Sequence, residues 1–121
     1  MKVLIVDDSD LLRGHLAAMI GSVPGVRHVE QADCVRSALT CLASFRPDVA
    51  VLDIQLPDGN GIEVLKAIRK DMPLTHVIML TNHAFPQYRK KCMAEGAAYF
   101  LDKHTEFETV VEVLEQMVAV H

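Results

Sequence analysis

Apolar residues fall into five short runs along the chain, separated by stretches in which apolar positions recur at helical spacing. The first run is Val3-Leu4-Ile5-Val6, β-branched and bounded by Lys2 and Asp7. A run without polar alternation predicts a strand buried on both faces, as in a parallel sheet. Next, Leu12, Leu16, Met19 and Ile20 recur at i, i+4, i+7 and i+8 and predict a helix that breaks at Pro24-Gly25. Val26 to Ala32 is more polar and reads as an edge strand. Asp33 is placed to cap a helix carrying Val35, Ala38, Leu39 and Leu42 on one face, ended by Pro47. Val49-Ala50-Val51-Leu52 is the third run and leads into Asp53.

Leu56-Pro57-Asp58-Gly59-Asn60-Gly61 concentrates turn formers. Asn60, with Glu63 three residues on, predicts a capped helix carrying Ile62, Leu65 and Ile68. Val77-Ile78-Met79-Leu80 is the fourth run and leads into Thr81. Pro86 suits the first turn of a helix and Gly96 its C-terminal end. Ala98 to Leu101 is the fifth strand, ending at Asp102-Lys103. Thr105-Glu106-Phe107-Glu108 spells a capping box for a last helix with Phe107, Val110, Val111, Leu114, Met117 and Val118 at helical spacing. Strand and helix alternate five times, so the fold class is α/β, a (βα)5 doubly wound parallel sheet with right-handed crossovers.

Composition narrows what such a fold does here. The 121 residues suit one domain, spanning 1–121. A net charge of −4 lacks the basic excess of a nucleic-acid-binding module. No run reaches membrane-spanning length, and the N-terminal apolar run is too short for a secretory signal, so a cytoplasmic location is expected. Cys34, Cys41 and Cys92 form no CxxC and read as free, core or near-surface thiols. The histidines are scattered without zinc-ligand spacing.

Ligands of open α/β sheets bind beyond the carboxyl ends of the strands. The residues that the strands run into are Asp7 and Asp8, Asp53, Thr81 and Lys103. Two carboxylates ~4 Å apart repel by about 4 kcal/mol at an effective dielectric near 20. Three need cations among them, and one lysine is not enough. Hard oxygen ligands suit Mg²⁺, with Mn²⁺ as a substitute. A carboxylate beside Mg²⁺ and a lysine is equipped to take up a phosphoryl group.

The pieces Val6-Asp7-Asp8, Val51 to Gly61 (VLDIQLPDGNG), Met79-Leu80-Thr81-Asn82, Gly96 to Phe100 (GAAYF) and Leu101-Asp102-Lys103 occur in this order over the whole chain. In this the sequence resembles the receiver domain of two-component response regulators, of the chemotaxis-regulator kind. The resemblance implies a flavodoxin-like sheet of strand order 2-1-3-4-5. It implies Asp53 as phosphoacceptor, and Asp7, Asp8, Asp53 and the Gln55 backbone carbonyl as Mg²⁺ ligands. Lys103 and Thr81 would bind the phosphoryl group, and Thr81 and Tyr99 would act as a switch. Asn82, His83 and His104 depart from the commonest pattern and, with Gln55, are expected to modulate the pocket.

The implied donor is a sensor histidine kinase or a histidine phosphotransfer protein. The implied output surface is the fourth helix, fifth strand and fifth helix, which would also serve a homodimer. The protein itself is then a switch that assists its own phosphorylation, not a metabolic enzyme. The alternative is a haloacid-dehalogenase-type phosphatase. Asp8-Ser9-Asp10 imitates its DxD, with Asp8 as nucleophile, but begins one residue late and lacks a later paired acidic motif. A flavodoxin-like flavin binder is disfavoured because Asp7 and Asp8 would repel the flavin phosphate.

Overall fold

The computed structural model describes residues 1–120. Its elements run β1 (Lys2–Val6), α1 (Asp10–Gly21), β2 (His28–Ala32), α2 (Val35–Phe45), β3 (Val49–Leu52), β4 (Gln55–Leu56), β5 (Gly59–Asn60), α3 (Gly61–Asp71), β6 (His76–Thr81), α4 (Pro86–Ala94), β7 (Tyr99–Asp102) and α5 (Thr109–Val120). The main sheet is parallel in the order β2-β1-β3-β6-β7. This is the expected 2-1-3-4-5, with two labels taken by a small antiparallel hairpin, β4-β5.

The continuous apolar runs are continuous because both faces of the sheet are covered. Leu4, Val6, Ala50, Leu52, Val77, Met79 and Phe100 pack with α2, α3 and α4. Val3, Ile5, Val49, Val51, Ile78, Leu80 and Leu101 pack with Leu16 and Ile20 of α1 and Val110, Val113 and Leu114 of α5. This strict alternation fixes which way each strand residue points.

Four local expectations change. β2 begins at His28, because Gly25 turns the chain in a left-handed conformation (φ +98°) and pairing with β1 starts only afterwards. α2 is capped by Cys34, whose extended backbone lets Sγ accept from the Ser37 N–H at 3.4 Å, while Asp33 accepts from the Ser37 hydroxyl. The Thr105–Glu108 capping box does not form. Glu106 turns its carboxylate back to the Asp102 N–H at 3.1 Å, and α5 starts at Thr109. In α5 the fully covered residue after Val110 is Val113, with Val111 only partly buried.

Candidate acidic site

β1 and β3 are neighbours, so the residues that follow them meet at one edge. Asp7 N–H donates to Ala32 O at 3.1 Å, and Asp53 N–H to Val6 O at 3.0 Å, extending the ladder one step past the strands. Both side chains are buried, Asp7 at 3% and Asp53 at 6% exposure, while Asp8 is exposed. One carboxylate oxygen from each of Asp7, Asp8 and Asp53 lies within 4.8 Å of the other two. Ser9, not either aspartate, caps α1 by accepting from the Leu12 N–H at 3.2 Å. Both aspartates face the cleft, Asp7 Oδ1 accepting from the Ser9 N–H at 2.9 Å.

Lys103 reaches in from the end of β7. Its Nζ donates to Asp53 Oδ2 at 2.8 Å and pairs with Asp7 Oδ2. Burial alone would push this ammonium down. The hydrogen bonds and charges of Asp53 and Asp7 outweigh burial and hold it above the ordinary lysine value. The Lys103 N–H also donates to Thr81 O at 3.0 Å, tying the ends of β6 and β7. Asp53 Oδ1 accepts from Ile54 N–H at 2.7 Å.

These groups line a cleft of about 530 Å³ with Gln55, Asn82, His83 and His104 on its walls. The three acids form an all-oxygen donor set with one ammonium among them, which suits a hard divalent cation such as Mg²⁺. Thr81 is fully buried just behind the wall, its Oγ1 accepting from the His83 N–H at 3.0 Å.

Tyr99 does not join this constellation. It pairs with Ile78, on the α1/α5 face and at the amino end of the strands, 37% exposed beside Met1, His76, Met117 and Val120. Thr81 shares the opposite face with Met79. The aromatic there is Phe100, which pairs with Met79, is 3% exposed, and carries the Arg89 guanidinium 5.0 Å over its ring. Sequence reasoning also passed over Leu11, Leu12 and His15, which line the cleft from α1, and Arg13, which donates to Asp7 O at 2.6 Å. Their signal was helix phase: the residues just after the acidic pair face the same opening.

A family model described as the response regulator receiver domain matches residues 3–115. The response regulator GacA of Pseudomonas aeruginosa is 30% identical over 98% of this chain and 56% of its own length. The DNA-binding transcriptional activator DevR/DosR of Mycobacterium tuberculosis is 35% identical over 85% of this chain and 48% of its own. The crystal structure of the response regulator domain of Thermotoga maritima CheB superposes with a TM-score of 0.84 at 31% identity, covering 98% of this chain and 93% of that one. The chain spans about half the length of the two full-length relatives. The phosphatase alternative finds no support: the match is to receivers, and the buried carboxylates bonded to the lysine are Asp53 and Asp7, not Asp8. With a five-stranded parallel sheet in this order and three aspartates and a lysine at its carboxyl edge, the chain belongs to the response regulator receiver domains, phosphoryl-accepting signalling switches of two-component systems.

Proposed function

We propose that residues 1–121 form one receiver domain whose phosphoacceptor is Asp53, charged by a sensor histidine kinase or a histidine phosphotransfer protein. The observation that carries this is the convergence of buried Asp53 with Lys103 and the Asp7/Asp8 pair. An Asp53 carboxylate oxygen forms the new P–O bond. The P–N bond of the donor's phosphohistidine breaks, and its electron pair returns to the imidazole. Asp7, Asp8, Asp53 and the Gln55 backbone carbonyl would hold Mg²⁺. Bound there, Mg²⁺ neutralises charge on the phosphoryl oxygens. Lys103 keeps its positive charge at neutral pH and pairs with the phosphoryl group in place of the carboxylate. Thr81 donates its hydroxyl to another phosphoryl oxygen. Asn82, His83, His104 and Gln55, on the cleft walls, govern access of donor and water.

The output surface is α4, β7 and α5, the two helices flanking the edge strand on opposite faces. Arg89, Lys90 and Lys91 lie on α4, and Glu112 and Glu115 on α5. A second copy turned about a twofold axis would meet basic α4 with acidic α5, so a homodimer through this face is part of the proposal. No helix among the described residues is long and apolar enough to cross a membrane. The proposed setting is the cytoplasm, with no nucleic-acid contact by this domain.

The test is to incubate the protein with Mg²⁺ and a small acyl-phosphate donor, trap the product by reduction, and map it. Label is expected on Asp53 alone, lost in Asp53→Asn, and lost in Asp8→Ala together with metal binding. Label on Asp8, or label persisting in Asp53→Asn, overturns the assignment.

A further inference from the structure

Asp58, at the tip of the β4-β5 hairpin, has no part in the chemistry above, yet both of its carboxylate oxygens are engaged. Oδ1 accepts from the Val35 N–H at 2.7 Å and Oδ2 from the Arg36 N–H at 3.0 Å. These are the first two amides of α2, 23 and 22 residues away. The helix leaves them open locally: Cys34 Sγ takes the Ser37 amide, and Asp33 takes the Ser37 hydroxyl. A carboxylate on amides at the positive end of a helix forms charge-assisted bonds. Those two amides hold the Asp58 carboxyl below its ordinary value despite some desolvation.

The hairpin so held is the one that carries Gln55. Its base is pinned to the acidic site. Ile54 N–H bonds Asp53 Oδ1 at 2.7 Å, and Gly61 N–H bonds Ile54 O at 2.7 Å. β4 and β5 are two residues each, and a lone hairpin this short does not hold its shape in water. The Asp58 clamp and the approach of Gly59 to Val35, where a Cβ would sit 3.2 Å from Val35 Cγ2, hold the tip on α2, while Leu56 is buried in the core and Asn60 N–H bonds the Glu63 carboxylate on the α3 side. Gln55 lies between the pinned base and the clamped tip.

We propose that Asp58 is a positioning residue for the cation site: by docking the hairpin on the first turn of α2, it fixes the Gln55 backbone carbonyl against Asp53 and sets the affinity for the divalent ion. This rests on the metal ligation proposed above. Asp58 does not touch the ion. It acts through the hairpin, as outer partners of ligating groups do in other metal sites.

Mn²⁺ binding by paramagnetic relaxation and Mg²⁺ binding by calorimetry test it, alongside melting temperatures. Asp58→Ala is expected to weaken both ions by roughly ten-fold, the lower end of what losing such a partner costs. Its phosphorylation rate should fall at limiting Mg²⁺ and recover at saturating Mg²⁺. Asp58→Asn keeps an acceptor oxygen for one amide and should fall between Ala and wild type, which secures the test if Asp58→Ala folds poorly. Ser37→Ala removes the hydroxyl that accepts from the Asp33 and Cys34 amides at the start of the same helix, but leaves the Cys34 Sγ cap and the clamp. It should lower the melting temperature and leave ion affinity unchanged. Asp58→Ala binding both ions as tightly as wild type, or Ser37→Ala weakening them equally, overturns the proposal. Wild-type protein that binds neither ion overturns the metal ligation itself.

Discussion

Lys103 is where burial and charge are most finely opposed. Its ammonium sits between two buried carboxylates, and their pull outweighs desolvation, so its folded value lies above its unfolded one. Its contribution to stability is therefore complete below the unfolded lysine value of about 10.4, and fades as pH rises through the raised folded value. Thermal melts should show an alkaline loss of stability that is absent from Lys103→Met. At neutral pH, Lys103→Met leaves Asp7 and Asp53 without their cation and is expected to lose about 3 kcal/mol, the lower end for breaking a buried pair, because the cleft admits water. Mg²⁺ should then raise its melting temperature more than it raises that of wild type. A Lys103→Met protein that melts like wild type without Mg²⁺ refutes this account. The acids and the lysine were legible because each stands one or two places past the end of an apolar run. Tyr99 was not. In Tyr99-Phe100, two aromatics stand side by side, and the alternation along β7 decides which shares a face with Thr81. A one-residue shift of register reverses that answer, and nothing local in the sequence marks it.

At the scale of elements, the pin at Gly61 makes the sharpest demand. Its backbone lies so close to the end of β3 that a Cβ would stand 1.9 Å from the Asp53 carbonyl oxygen. The obstacle is backbone and cannot rotate away. Gly61→Ala should therefore cost about 3 kcal/mol, the upper end for forcing a methyl into a packed site, and should slow Asp53 phosphorylation even at saturating Mg²⁺. Denaturant melts and phosphorylation rates check both. A Gly61→Ala variant with unchanged stability would mean that α3 can slide away from Asp53. All five main strands and all five helices were legible from periodicity, since packing on two faces of one sheet imposes it. The hairpin within residues 55–60 was not legible, because two-residue strands are too short to show a period. Nor was the true start of α5. There Asp102 draws in both the Glu106 carboxylate and the His104 N–H (2.8 Å), a loop competing with the capping box that the same residues spell.

Across the whole molecule, the question is how a charge placed at Asp53 reaches α4, β7 and α5. Phosphorylation adds roughly one to two negative charges and strong acceptor oxygens at that spot. Such a change has a distant readout only if it biases an element with two arrangements. In the proposed switch Thr81 is that element's hinge: its hydroxyl oxygen holds the His83 N–H. Turning the hydroxyl toward the phosphoryl group frees that amide. His83 begins an aromatic series, with Phe85 at 6.3 Å and Tyr88 another 6.0 Å on, that runs into α4. In that proposal the same rotation would open space on the face where Phe100 packs under Arg89. Two routes would therefore leave Thr81, one through the loop and one through β7, and both would end on α4. Thr81→Ala should still be phosphorylated at Asp53 but lose most of the change across residues 83–120, read as amide shifts or hydrogen exchange with and without a phosphoryl mimic. Phe100→Leu should lose the response in β7 and keep part of it in the loop. Tyr99→Leu, on the far face, should respond like wild type. If Thr81→Ala responds as wild type does, the coupling bypasses Thr81. If Tyr99→Leu is silent while Phe100→Leu is not, the signal travels along the α1/α5 face instead.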